Sequence, residues 1–146
     1  MAVAVFTTRS VKGEVLFVDT ATGVRVDATF TQLPPGDHGF HIHRAGDLRG
    51  EGCKNACDHY HEGQVSQHGG PPGTKGPRHT GDLGNISITK PSYRFLLRGI
   101  SCSDLWGRSV IVHADEDDCG LGDAADSHTT GNSGKRIACA IIGRCG

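Results

Sequence analysis

Gly39-Phe40-His41-Ile42-His43 alternates two histidines with two apolar residues, and its reading decides the fold. A strand sends successive side chains to opposite faces. His41 and His43 therefore share one face, while Phe40 and Ile42 enter a core on the other. Two imidazoles one pleat apart can bind a single transition metal. Downstream lie His59, His61, His68, His79, Asp82 and His113, donors enough for a second ion.

The rest of the chain carries the same strand signal. Period-2 alternation or short apolar runs mark 2–6, 14–19, 24–33, 39–43, 86–89, 93–98, 109–113 and 137–142, and no window shows a sustained helical repeat. The pattern predicts one all-β domain over residues 1–146, a sandwich or barrel. Two polar, Gly-rich stretches interrupt it, one between His43 and Ile86 and one from Ala114 to Lys135. Unstructured loops this long inside a compact domain are usually functional, and here they hold most of the candidate ligands.

Composition narrows the function classes. A net charge of -1 offers no basic footprint for nucleic acid. No apolar run approaches the length of a membrane span or an export signal. The expectation is a soluble cytoplasmic protein with no nucleic-acid or membrane partner. Six cysteines sit awkwardly with that address, because disulfides are rare in reducing compartments.

Six blocks in order carry a resemblance. They are GFHIH at 39–43, Cys53 with His59 six residues on, HGGP at 68–71, RHTGDLGN at 78–85, VIVHADEDD at 110–118 and TGNSGKRIACAIIG at 130–143. The chain resembles the copper–zinc superoxide dismutases from about residue 36 onward. The resemblance implies a Greek-key β-barrel of about eight antiparallel strands with two long functional loops. It implies dismutation of superoxide to dioxygen and hydrogen peroxide, with one copper and one zinc ion per subunit. It places copper on His41, His43, His59 and His113, and zinc on His59, His68, His79 and Asp82. His59 would then bridge both ions and, as a catalytic residue, take up a proton in each cycle. His61 competes with His59 for the bridge; the spacing from Cys53 and the neighbouring Tyr60 favour His59.

Further positions follow from the same resemblance. Asp117 would hydrogen-bond one copper histidine, His41, and one zinc histidine, His68. Arg136 would attract and orient the anion, as a permanently charged guanidinium can, and Thr130 would narrow the opposite wall of the channel. His38 would tie loops together. Cys53 and Cys139 would form a disulfide. Cys57, Cys102, Cys119 and Cys145 read as free thiols, although Cys57 could mispair with Cys139 or capture metal. From Asp82 to His113 the chain is about six residues shorter than the family pattern, which trims a hairpin around Lys90-Pro91-Ser92. A homodimer is expected through an apolar patch containing Trp106, weakened or altered by Arg144, which stands where the family packs an aliphatic residue. Acidic Asp115, Glu116, Asp118, Asp123 and Asp126 crowd the second loop, leaving Lys135, Arg136 and His128 as its positive groups.

Overall fold

The computed structural model describes residues 1–64 and 67–146. Nine strands run in chain order: β1 (Ala2–Thr7), β2 (Lys12–Asp19), β3 (Gly23–Gln32), β4 (His38–His43), β5 (Asp82–Ile86), β6 (Ser92–Arg98), β7 (Ser109–His113), β8 (Arg136–Ile141) and β9 (Gly143–Arg144). Two single-turn helices, α1 (Cys102–Leu105) and α2 (Ser127–Thr130), and a 3-10 turn at Lys54–Ala56 complete the described secondary structure. One sheet has the order β6-β3-β2-β1-β9 and the other β5-β4-β7-β8, every pair antiparallel. No ladder joins the edge strands β5 and β6 among the described residues. The sheets therefore pack as a sandwich and do not close into a barrel.

Alternation in each strand fills the space between the sheets. Phe6, Phe17, Val26 and Phe30 from one sheet meet Phe40, Ile42, Leu83, Val110, Val112 and Ala138 from the other, all buried. Phe30 and Phe40 pack edge-to-face at 5.6 Å, a favoured aromatic geometry. The opposite face of the second sheet presents His41, His43, Ile111, His113 and Cys139, and the long loops cover it. All six residues of β4 are consequently buried. Cys53 and Ala56 from the first loop pack on Ile111 and Cys139 in a small separate cluster, sealed by the Cys53–Cys139 disulfide.

The fourth and fifth strands show where local signals mislead. The sequence predicts a strand at 86–89, yet β5 runs from Asp82 to Ile86, and Ser87–Lys90 form a tight turn. Asp, Gly and Asn read as turn residues, and Gly84 does adopt φ +77°. Pairing with β4, where Asp82 lies opposite His41, overrides that preference. The short helix α1 was absent from the strand pattern; Ser101 and Asp104 form a capping box at its start.

The disulfide links positions 86 residues apart, so Cys139→Ser should cost about 4–5 kcal/mol in the chain-entropy account. Urea denaturation measures it; a loss below about 1 kcal/mol would mean that the packed loop holds itself in place.

Candidate metal centre

β4 and β7 place His41, His43 and His113 on the loop-covered face of the second sheet. His59 joins them through an isolated bridge to His43, with the Tyr60 amide donating to the Ile42 carbonyl at 2.8 Å. Each of the first three rings donates one N–H to a fixed acceptor. His41 Nε2 donates to Asp117 Oδ2 at 2.5 Å, His43 Nδ1 to the Cys57 carbonyl at 2.8 Å, and His113 Nδ1 to the Gly134 carbonyl at 3.1 Å. These bonds fix the tautomer, so the other nitrogen of each ring carries a bare lone pair. His41 Nδ1, His43 Nε2, His113 Nε2 and also His59 Nε2 are buried without any hydrogen-bond partner. Unpaired buried polar atoms are costly. Four of them in one group, His41, His43, His59 and His113, are the donor set that a late transition cation satisfies.

A second convergence lies on the other side of the His59 ring. His59 Nδ1, His68 Nδ1 and His79 Nδ1 all face Asp82 Oδ1, at 2.9, 3.0 and 3.4 Å, and His59 Nδ1 lies 3.3 Å from His68 Nδ1. One oxygen cannot accept well from three rings at once. Ligands bonded to zinc at 2.0–2.1 Å stand about 3.3–3.4 Å apart along the edges of a tetrahedron, close to the observed spacing. His41 also lies near this group, but its Nε2 is committed to Asp117, whereas His79 Nδ1 makes no hydrogen bond. The amides of Gly69 and His79 donate to Asp82 Oδ2 at 2.9 and 2.7 Å, aiming Oδ1 at the rings.

Asp117 joins the two groups. Its buried carboxylate accepts from His41 on Oδ2 and from His68 Nε2 on Oδ1 at 2.7 Å. Asn85 holds Asp117 by its backbone at both ends, donating to the carbonyl at 2.8 Å and accepting from the amide at 2.7 Å. Gly131, at φ +76°, leaves room: a Cβ there would lie 2.5 Å from His68 Nε2. Sequence reasoning missed Asn85, because its role depends on a contact 32 residues away. It also missed the carbonyls of Cys57 and Gly134, which carry no side-chain signal at all.

The electrostatics follow from burial and these contacts. Burial pushes His41 and His43 well below 6.5, lowers His59, and takes His113 to about 4. Burial also opposes charge on His68, but its bonds to Asp117 and Asp82 overcome that and raise it to about 9. For Asp82 the desolvation that would raise its pKa is outweighed by the surrounding rings, which hold it far below the usual carboxylate range.

A cavity of about 270 Å³ opens onto the centre, lined by Asp58, His59, His79, His128, Thr129, Thr130 and Arg136. Arg136 Nη1 donates to the Cys53 carbonyl at 2.9 Å and Nη2 to the Cys57 carbonyl at 2.7 Å. Thr130 lines the same cavity. His61 stands outside both donor groups, its Nδ1 accepting from the Thr80 amide at 3.2 Å. His38 reaches the carbonyls of His113 and Pro34, each at 2.9 Å.

Comparison with known proteins agrees with this geometry. The family model for copper/zinc superoxide dismutase matches residues 11–142. A superoxide dismutase [Cu-Zn] of Paramecium bursaria Chlorella virus 1 is 46% identical over 142 residues, covering 91% of this chain and 73% of the relative. An extracellular superoxide dismutase [Cu-Zn] of Haemonchus contortus is 42% identical over 137 residues, covering 90% and 73%. The crystal structure of the clock protein EA4 superposes with a TM-score of 0.87 at 38% identity, covering 97% of this chain and 92% of that one. The chain belongs to the copper/zinc superoxide dismutase family.

Proposed function

We propose that this chain dismutes superoxide with copper held by His41, His43, His59 and His113 and zinc held by His59, His68, His79 and Asp82. The observation that carries the assignment is the His59 ring, whose unpartnered Nε2 faces the first group while its Nδ1 faces Asp82 Oδ1 at 2.9 Å. When bound, copper supplies the one-electron redox chemistry that converts two superoxide ions and two protons to dioxygen and hydrogen peroxide, and zinc supplies a fixed charge. The protein's residues do the rest. Arg136 attracts and orients the anion at the cavity wall, and Thr130 limits the opening to small species. His59 Nε2 faces the first group and is the atom at which the chain can hold a proton for the product. Asp117 fixes the tautomers of His41 and His68 and thereby couples the two sites.

Its cellular address and assembly are part of the same reading. No helix among the described residues is long and apolar enough to cross a membrane, and four free cysteines suit a reducing cytoplasm. The relatives nonetheless include proteins named extracellular. Superoxide is the proposed partner; the near-neutral charge argues against nucleic acid. A homodimer is proposed through the patch bearing Trp106 and Ile141, 41% and 48% exposed. The Arg144 guanidinium lies over the Trp106 ring at 5.2 Å, and among the described residues it forms no ion pair. Burying that cation across an interface without a carboxylate costs several kcal/mol, so association is weak.

Three measurements check this reading. Metal analysis should find His113→Ala depleted in copper but not zinc and His79→Ala the reverse, and the superoxide-decay rate should follow the copper content. A fully loaded wild type without activity, as a pure copper-transfer protein would be, would reject the enzyme assignment. For the metal-free chain, His41, His43, His59 and His113 are held below the ordinary 6.5. As pH falls below 6.5 the unfolded chain binds protons that these folded rings refuse, and stability drops by about 1.4 kcal/mol per pH unit for each fully excluded ring. His68, raised to about 9, contributes oppositely: its stabilisation is complete below 6.5 and is lost as pH rises through 9. The urea midpoint of the metal-free chain should therefore be highest near neutrality, and a flat profile down to about pH 4.5 would contradict the assignment. In sedimentation, Arg144→Ile should tighten self-association at least about tenfold; equal or weaker association would remove the patch as the interface.

A further inference from the structure

Three backbone hydrogen bonds close on themselves beside the metal centre. The Ile42 amide donates to the Gly81 carbonyl at 2.9 Å, the Gly81 amide to the Tyr60 carbonyl at 2.9 Å, and the Tyr60 amide to the Ile42 carbonyl at 2.8 Å. Each of the three residues neighbours a proposed ligand. Ile42 lies between His41 and His43, Tyr60 follows His59, and Gly81 precedes Asp82. The closed set of bonds ties β4, the first loop and the start of β5 at one point. Arg44 extends it, its amide donating to the Asp58 carbonyl at 3.0 Å, so a backbone bond stands on each side of His59. Gly81 is not among the glycines at positive φ, so no turn demands glycine there. Space does, because a Cβ would overlap the Ile42 carbonyl oxygen.

One side chain staples this joint. Arg108, half-buried at the entrance to β7, donates from Nη1 to the Arg44 carbonyl at 3.0 Å and from Nε to the Asp104 carbonyl at 2.6 Å. Its guanidinium carbon lies 4.0 Å from the centre of the buried Tyr60 ring, so the cation covers an aromatic face. A planar guanidinium with donors along its edge can meet two carbonyls and a ring at once, which an ammonium cannot. Thr80 laces the other side: its hydroxyl accepts from the Glu62 amide at 3.0 Å and its amide donates to His61 Nδ1 at 3.2 Å. Together these contacts hold residues 58–62 and 79–82 in one arrangement on β4.

We propose that Arg108 and Gly81 are positioning residues that set the angle of the His59 ring between the two donor groups. The inference rests on the reading of His59 as the ring shared by copper and zinc. A shared ring presents Nε2 to one group and Nδ1 to the other, so a rotation that favours one ion disfavours its neighbour. The other rings are steered by outside acceptors: His41 and His68 by Asp117, His43 by the Cys57 carbonyl, His113 by the Gly134 carbonyl. His59 has no nitrogen to spare for such a bond. Its Nδ1 faces the fellow ligands Asp82 and His68, and its Nε2 has no partner among the described residues. Its orientation has to come from its backbone and the packing beside it. The closed bonds of Ile42, Tyr60 and Gly81, stapled by Arg108, supply both.

Loading the full chain with copper and with cobalt(II) in place of zinc reads the ring directly. Cobalt(II) accepts the same nitrogen and carboxylate donors. Two paramagnetic ions joined through one imidazole ring couple, and the copper electron-paramagnetic-resonance signal is lost. The wild type should show that loss. Arg108→Met keeps the side chain's length but removes the fork, and it should restore copper signal at unchanged copper and cobalt content. Gly81→Ala should do the same. Arg44→Met removes the same charge from a residue that contributes only its backbone, and its copper signal should stay lost. Complete loss of signal in Arg108→Met with both ions bound overturns the inference. So does an equal return of signal in Arg44→Met, or an Arg108→Met that merely fails to hold metal; this variant decides even where Gly81→Ala does not fold. A wild type whose copper signal survives with both ions bound would instead overturn the shared ring itself, and this inference with it.

Discussion

Buried ring nitrogens without hydrogen-bond partners are the constraint on which the rest of this structure depends. His41 Nδ1, His43 Nε2, His59 Nε2, His79 Nδ1 and His113 Nε2 are all enclosed and unsatisfied. A fold tolerates such a group only if something else compensates it. Here each lone pair is directed by the ring's other nitrogen or by neighbouring backbone, and the acceptors that direct them are rigid: a carboxylate clamped by Asn85, and carbonyls on the loop ends at Cys57 and Gly134. The sheet supplies the common face, and the loops supply the tautomers. The metal-free chain is thus prepared for cations at the expense of its own stability.

This division of labour explains how much of the molecule was legible in the sequence. The face shared by His41 and His43 followed from period-2 alternation, because pleat geometry is local. The ligand order followed from the resemblance, and the side chains it names stand close together, His79 Nδ1 at 3.4 Å from Asp82 Oδ1. What was not legible depends on distant backbone. β5 looks like a turn in isolation, since Asp82, Gly84 and Asn85 favour bends; it is a strand because β4 pairs with it and Asp82 must face His41. Asn85 has no motif of its own, and its function exists only where Asp117 arrives. Closure was equally unreadable: alternation cannot distinguish a barrel from a sandwich, and the absence of a ladder between β5 and β6 among the described residues decides it.

The disulfide and the metal centre share parts. Cys53 and Cys139 close the loop onto Ile111, and the same turn offers two carbonyls to Arg136. A covalent bond that stabilises the fold thereby also positions the cation proposed to meet the substrate. Cys57 joins the two systems through its carbonyl, which accepts from both His43 Nδ1 and Arg136 Nη2.

The charge around the opening follows from this arrangement. Read along the sequence, the second loop is acidic, and an anionic substrate should find little attraction there. In space, Arg136 divides two cavities. On one side Asp58 lines the opening to the rings together with His128 and Thr130. On the other, a cavity of about 400 Å³ is lined by Gly52, Lys54, Gly134, Lys135 and Arg136, with no carboxylate among them. Lys54 comes from the first loop, brought there by the disulfide turn and not by the loop that carries the acids. Exposed charges act over about a Debye length, ~8 Å at physiological ionic strength, so Asp115, whose carboxylate stands against Gly134, acts on an anion near Arg136, and so do Lys54 and Lys135. Asp58, beside Arg136, opposes them at the last step. The potential an anion meets is set by which residues the turn at Cys53 delivers to this wall, and net charge along the loop does not report it.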